Sequence, residues 1–222
     1  DALGNLQWSR RYNAQTSNGE EAFSVVQTAD GGYAFSGARD AAAGVVDILL
    51  VRLDANGNML WNRAFDAGGG TDGGMSLLAD GNYLIIGGFT RTGLSYHDAM
   101  LMKVDATNAV LLWTKHYEVE GLNNRIGRIM KHGAGYMAEM HTMPDFSDVT
   151  TLRSYALTID ANGNATGLKR IIAPTYLGGG GSIVPMEDGG FVICHNENTG
   201  DPDFNIYRIG GTGNVIWAKK YP

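Results

Sequence analysis

The chain has 222 residues, 44% of them hydrophobic, enough to bury a sizeable core, and only 18% are charged, with a net charge of −6. No run of Lys or Arg exceeds two residues, so the clustered basic surface that phosphate contacts need is absent and nucleic acid is excluded as a partner. Cys194 is alone, which rules out an intrachain disulfide and a cysteine-built metal site, and no apolar run approaches the ~18 residues of a membrane span.

The chain opens on GNLQWSRRY from Gly4, and this unit returns four times. It recurs as GNMLWNRAF from Gly57, NAVLLWTKHY from Asn108, GNATGLKRI from Gly163 and GNVIWAKKY from Gly213. The tryptophan column reads Trp8, Trp61, Trp113, Gly167, Trp217, with steps of 53, 52, 54 and 50 residues. A fixed period over the whole chain means one array rather than several conventional domains.

Each period carries the same earlier segments. An apolar stretch, Ala22 to Thr28 or Met75 to Ala79, runs into a tight turn: Asp30-Gly31-Gly32-Tyr33, Asp80-Gly81-Asn82-Tyr83, Gly133-Ala134-Gly135-Tyr136 and Asp188-Gly189-Gly190-Phe191. Asp-Gly and Gly-Gly supply the positive φ of hairpin turns. A third segment follows, Asp47 to Asp54, Asp98 to Asp105, Arg153 to Asp160 and Asp203 to Gly210, and a second turn such as Asn56-Gly57 or Asn162-Gly163 leads into the Trp strand.

Two hairpins per roughly 50 residues, with no helical period between them, predict an all-β, four-bladed β-propeller of four-stranded repeats. The approximate repeats are 15–66, 67–118, 119–172 and 173–222, with an additional N-terminal Trp strand in 1–14. Inner strands start near Ala22, Met75, Arg125 and Gly181, and the Trp strands are outermost. Counting across the second turn sets Arg52 opposite Trp61 and Arg208 opposite Trp217. Lys103 reaches Trp113 only through a bulge, and in the third repeat Thr158 faces Gly167. Base and ring vanish together there, which predicts stacked cation–π pairs elsewhere.

The order D-x-x-G-x-x-x-W in DANGNMLW, Asp54 to Trp61, and its variant GGTGNVIW, Gly210 to Trp217, resembles the tryptophan-docking repeat of quinoprotein-like propellers. The fuller pattern, TADGGYAFSGA followed by LVRLDANGNMLW, is similar to repeats of secreted bacterial and archaeal surface proteins. The resemblance covers essentially the whole chain. It implies that Trp61, Trp113 and Trp217 are structural and pack between blades. No motif matches the quinone-binding residues of the catalytic members, so that activity is not implied.

Five Trp strands stand against four sets of the other segments, so Leu6, Gln7, Trp8, Ser9, Arg10, Arg11 and Tyr12 form a spare strand. Unpaired backbone groups on an alternating strand template pairing with another chain, which predicts self-assembly into a homo-oligomer or filament. The competing arrangement folds the strand back beside the last blade. Asp1 in place of Met predicts a processed extracellular or cell-surface chain whose signal peptide is gone.

Candidate chemistry is sparse. Asp54 to Asn58 and Asp160 to Asn164 are oxygen-rich, but hairpin-turn chemistry accounts for them and neither has the Glu of a calcium loop. Asp66 to Asp72 holds two carboxylates in a glycine-rich connection between blades. Of the five histidines, His132 and His141 are expected to approach across a hairpin, too few for zinc. Asn164-Ala165-Thr166 matches a glycosylation sequon. No nucleophile elbow, P-loop or dinucleotide fingerprint occurs, so no catalytic residue, cofactor or metal is expected.

The connections after the second segment vary most, and Asp145, Phe146 and Asp148 in the third are the expected binding surface. The reading is a non-enzymatic, extracellular, self-associating propeller. The alternatives are a carbohydrate-binding, lectin-like propeller with glycan as partner, and a polysaccharide hydrolase or lyase.

Overall fold

A computed structural model describes residues 3–6, 8–13, 19–42, 44–91, 96–119, 121–144, 152–171, 182–196, 204–211 and 214–221. Positive φ at Gly31, Gly81, Gly133 and Gly189 closes the first hairpin of every repeat, as the turn residues predict. The first blade holds β1 (Glu20–Gln27), β2 (Tyr33–Ala42), β3 (Val45–Leu53) and β4 (Met59–Phe65). The second holds β5 (Gly73–Asp80), β6 (Tyr83–Thr90), β7 (Asp98–Asp105) and β8 (Leu111–Tyr117). The third is β9 (Asn123–His132), β10 (Gly135–Met143), β11 (Arg153–Ile159) and β12 (Ala165–Arg170), and the fourth β13 (Ser182–Pro185), β14 (Phe191–Asn196), β15 (Phe204–Ile209) and β16 (Val215–Tyr221). Each set forms its own antiparallel sheet in chain order, which is the four-bladed propeller arrangement. Among the described residues no helix is long and apolar enough to cross a membrane.

The register agrees with the counting: Arg52 pairs with Trp61, Lys103 with Trp113, Thr158 with Gly167 and Arg208 with Trp217. The bulge expected only in the second repeat is present in all four, directly after those residues. It re-aims the strand. Met59 therefore packs on the rear of its sheet with Leu49, Val51 and Leu53, while Trp61 packs forward against the second blade.

The stacked Arg52–Trp61 pair does not form. The Arg52 guanidinium turns instead to the first hairpin, meeting both carboxylate oxygens of Asp30 at 2.6 Å and the Tyr33 carbonyl at 3.2 Å. Arg208 does the same with Asp188 and the Phe191 carbonyl. A buried guanidinium gains more from a carboxylate and backbone carbonyls than from a ring face.

Blades meet through their inner strands, β1 on β5, β5 on β9 and β9 on β13, and no comparable packing joins β13 to β1 among the described residues. Ser24 Oγ accepts from Leu77 N and Ser76 Oγ from Ile129 N, both at 3.1 Å, so the same hydrogen bond repeats one blade later. Apolar slabs fill the spaces between sheets one and two, two and three, and three and four. Ile85, Ile86, Met100, Leu101 and Met102 of the second blade are wholly buried, each contributing about 1.5–3 kcal/mol by leaving water.

The N-terminal segment differs from its expected form. Its described residues join no ladder, and it lies against the first blade rather than beside the last. Trp8 meets Tyr33 edge-on at 5.9 Å, and Tyr12 packs on Phe35 at 5.8 Å. Tyr12 thereby helps cover the rear core of Leu49, Val51 and Leu53, which among the described residues no other blade covers.

Candidate functional site

The inner strands of the first three blades enclose a pocket of about 380 Å³ lined by Ala22, Phe23, Met75, Arg125, Gly127, Arg128 and His141. This lies in the size range of small-ligand sites. Residues from β1, β5, β9 and β10 converge there because the inner strands of successive blades turn towards one centre.

One wall is built on the β9–β10 hairpin. His141 lies opposite Arg125 and Glu139 opposite Arg128, with a bulge around Gly127 bringing both arginines to the same side. Gly127 is required for space: a Cβ there would sit 2.9 Å from His141 Nε2. His141 is within hydrogen-bond reach of Ser154, Nδ1 to Oγ at 3.2 Å, and its Nε2 lies 3.6 Å from Glu139 Oε1, an ion-pair rather than a hydrogen-bond distance. Ser154 and Glu139 are both 0% exposed, so they orient the imidazole and do not themselves reach a ligand. Ser, His and a carboxylate stand in the order of a nucleophilic relay, but a fully buried hydroxyl offers no attacking oxygen. Burial pushes the Arg125 guanidinium below its usual value, and the Glu139 carboxylate acts against that shift. Phe23 and Met75 supply the apolar side, with Phe23 39% exposed.

A second cleft of about 270 Å³ lies at the outer ends of blades one and two, lined by Asp30, Arg52, Asn82 and Thr107 among others. Its charges are already paired in the Asp30–Arg52 bridge.

Several expected residues fall elsewhere. Asp145, Phe146 and Asp148 lie outside the described residues, as does Gln7. His132 and His141 do not approach each other: His132 pairs with Gly135 at the turn, and His141 with Arg125 at the far end of the hairpin. The Asp54 and Asp160 carboxylates are occupied by their own turns. Asp54 accepts from the backbone of Asn56 and Asn58 and from the Asn58 amide at 2.7–2.9 Å, and Asp160 repeats the pattern with Asn162 and Asn164. These donors hold both carboxyls below the usual carboxylate range. Among the described residues no three His, Cys, Asp or Glu side chains group as a metal site.

Glu139 and His141 are what the sequence reading missed as a pair. Their signal is two ionisable residues at i and i+2 inside YMAEMHTM, a strand buried along its whole length. A charge so placed must serve another group.

Three tryptophan-bearing segments make one repeated contact. Tyr12 Oη donates to the Gly57 carbonyl at 2.8 Å while Arg10 donates to Asn58 Oδ1 at 2.6 Å. Tyr117 Oη donates to the Gly163 carbonyl at 2.7 Å while Lys115 donates to Asn164 Oδ1 at 3.3 Å. Trp61 Nε1 and Arg63 reach the corresponding turn of the second blade, at the Ala106 and Ala109 carbonyls, at 3.1 and 3.2 Å. Gly57 and Gly163 suit this contact twice, through a positive φ and because a Cβ would meet the docked tryptophan at 2.9–3.1 Å.

No family model and no curated protein matches the chain. Solved structures do. A subtype N10 neuraminidase-like protein of A/little yellow-shouldered bat/Guatemala/060/2010 aligns over 91% of this chain at 11% identity and a TM-score of 0.58. A quinohemoprotein alcohol dehydrogenase from Pseudomonas putida HK5 aligns over 90% at 13% identity and 0.53, and an alpha-L-arabinofuranosidase from Clostridium thermocellum ATCC 27405 over 92% at 12% identity and 0.51. The chain spans 60%, 36% and 73% of the lengths of these three. At such identities the likeness is one of fold, and quinoprotein alcohol dehydrogenases are among the proteins that share it.

The expectation of a non-enzymatic protein is corrected here. An alcohol dehydrogenase and an arabinofuranosidase are built on the same kind of fold, so the architecture gives no ground for excluding catalysis.

Proposed function

We propose that the protein binds a small carboxylated saccharide in the pocket at the centre of its blades. The observation that carries this reading is the convergence of Arg125, Arg128 and His141 on one wall with Phe23 on the other. Guanidinium groups bind a carboxylate through two parallel hydrogen bonds, and an aromatic side chain stacks on the apolar face of a sugar ring. The chain as a whole carries −6, so a cationic wall at its centre is a local feature rather than a consequence of composition. It also differs from a lectin array with one pocket per repeat, because three blades contribute to a single site. An extracellular setting, read from the glycine-rich composition, belongs to this proposal.

Calorimetric titration with a uronic-acid oligosaccharide and its neutral counterpart tests it. The acidic ligand is expected to bind, to weaken with added salt, and to lose at least about 10-fold in affinity on Arg128→Ala, the scale of one lost charge-assisted pair. Equal affinity for the neutral sugar, or no binding of either, overturns the reading.

A further inference from the structure

Among the described residues the repeated tryptophan contact is unmade at β16, while at the first blade its turn is held by the N-terminal segment. β16 carries Trp217, Lys219 and Tyr221, the same Trp-x-Lys/Arg-x-aromatic order that docks from Trp8, Trp61 and Trp113 onto the second turn of a following blade. Nothing among the described residues plays that part for β16. Trp217 is 41% exposed, and Tyr221, Phe204 and Val184 are exposed as well. Lys219 lies over the Trp217 ring at 5.9 Å and Tyr221 stacks on Phe204 at 5.0 Å, so the docking face is already ordered. At the other end, the Asp54 to Asn58 turn and the rear core of β3 are covered by Trp8, Arg10 and Tyr12 from a segment without a ladder.

We infer that the β16 face is a docking surface for a second copy of this chain, and that it takes the second copy's Asp54 to Asn58 turn by displacing the Trp8–Tyr12 segment from it. The two occupants present the same side-chain chemistry, so the turn fits either. What separates them is how each is held. β16 is paired along its length with β15, from Phe204 opposite Tyr221 to Ile209 opposite Val215, whereas the described residues of the N-terminal segment join no ladder and Trp8, Arg10 and Tyr12 dock through their side chains. The segment therefore yields and the strand stays. Tethering gives the segment an effective concentration on the order of millimolar, so it acts as a built-in competitor that keeps the association weak. The contact is heterologous and extends head to tail.

Sedimentation velocity over a concentration series tests this on the full chain. Combined Trp8→Ala, Arg10→Ala and Tyr12→Ala substitution is expected to strengthen self-association at least about 10-fold, and adding Trp217→Ala and Lys219→Ala to abolish it. An arm-disabled chain that keeps its β-sheet spectrum and stays monomeric, or one whose assembly survives loss of Trp217 and Lys219, overturns the inference. A second measurement leaves the arm intact. With Cys194 replaced by Ser, Asn58→Cys with Lys219→Cys is expected to give disulfide-linked dimers and longer species under oxidation. Lys115→Cys with Asn164→Cys, whose side chains meet within one chain, is the intramolecular control. No linkage, or linkage confined to single chains, overturns the inference.

Discussion

Asp30 shows how much of one position was readable. Its place in an Asp-Gly-Gly turn follows from hairpin chemistry, but its partner does not, because Arg52 is far along the chain and the ring opposite Arg52 is the nearer attraction on paper. In the structure Thr28, Arg52 and the Gly32 amide all donate to the Asp30 carboxylate, which lowers its pKa from 3.8 to about 2. A carboxylate with a depressed folded pKa contributes stability that is complete above about 4 and is lost as the pH falls towards 2. The Asp30 side chain is 62% exposed, so solvent screening limits this to at most about 1 kcal/mol. Asp30→Asn is expected to lower the urea midpoint at pH 6 and to narrow the gap between the wild-type and variant midpoints at pH 2.5. A constant gap across that window would remove the bridge as its cause. Asp188 is lowered in the same direction by Gly190 and Arg208, so the single variant removes only part of the acid sensitivity.

At the scale of the strand, the hairpins were legible because Asp-Gly pairs and alternating apolar runs are local signals. The universal bulge was not, since in three repeats the residue count alone allows direct pairing. The docked N-terminal segment was legible as a fifth copy of the Trp unit but not in its placement: side-chain docking without a ladder leaves no mark in hydrophobic alternation. The bulge decides what each tryptophan touches. Trp61 and Trp113 are half-buried between blades, with the Trp113 ring against Gly163, while Trp217 faces outward. Trp61→Ala and Trp113→Ala are therefore expected to cost about 2–3 kcal/mol each, below the ~3–5 of a fully buried ring. Trp217→Ala in the monomer should cost under about 1 kcal/mol, much as an exposed substitution does. Chemical unfolding of the three variants checks the ranking, and equal losses at all three would mean that the Trp217 face is covered in solution.

The molecule as a whole is an array whose blades are unequally enclosed. Repeat architectures gain stability from each unit and from each interface between neighbours, so a blade covered on both faces outlasts one covered on a single face. The second blade has apolar slabs on both sides, and its central strands β6 and β7 bury Leu84, Ile85, Ile86, Met100, Leu101 and Met102 completely. Among the described residues the fourth blade packs on the third alone, through Ile183, Phe191, Ile193, Tyr207 and Ile209. Its forward face leaves Phe204, Trp217 and Tyr221 in water. Opening that blade breaks one interface, whereas opening the second breaks two. Backbone amides of β14 and β15 are thus expected to exchange with deuterium at least about 10-fold faster than those of β6 and β7, the difference made by one interface of ~1.4 kcal/mol or more. Because the exposed face of the fourth blade is also the proposed docking surface, raising the concentration of the arm-disabled chain should slow exchange in β15 and β16 while leaving β6 and β7 unchanged. Uniform protection across the four blades at low concentration would instead mean that the array unfolds as a single unit.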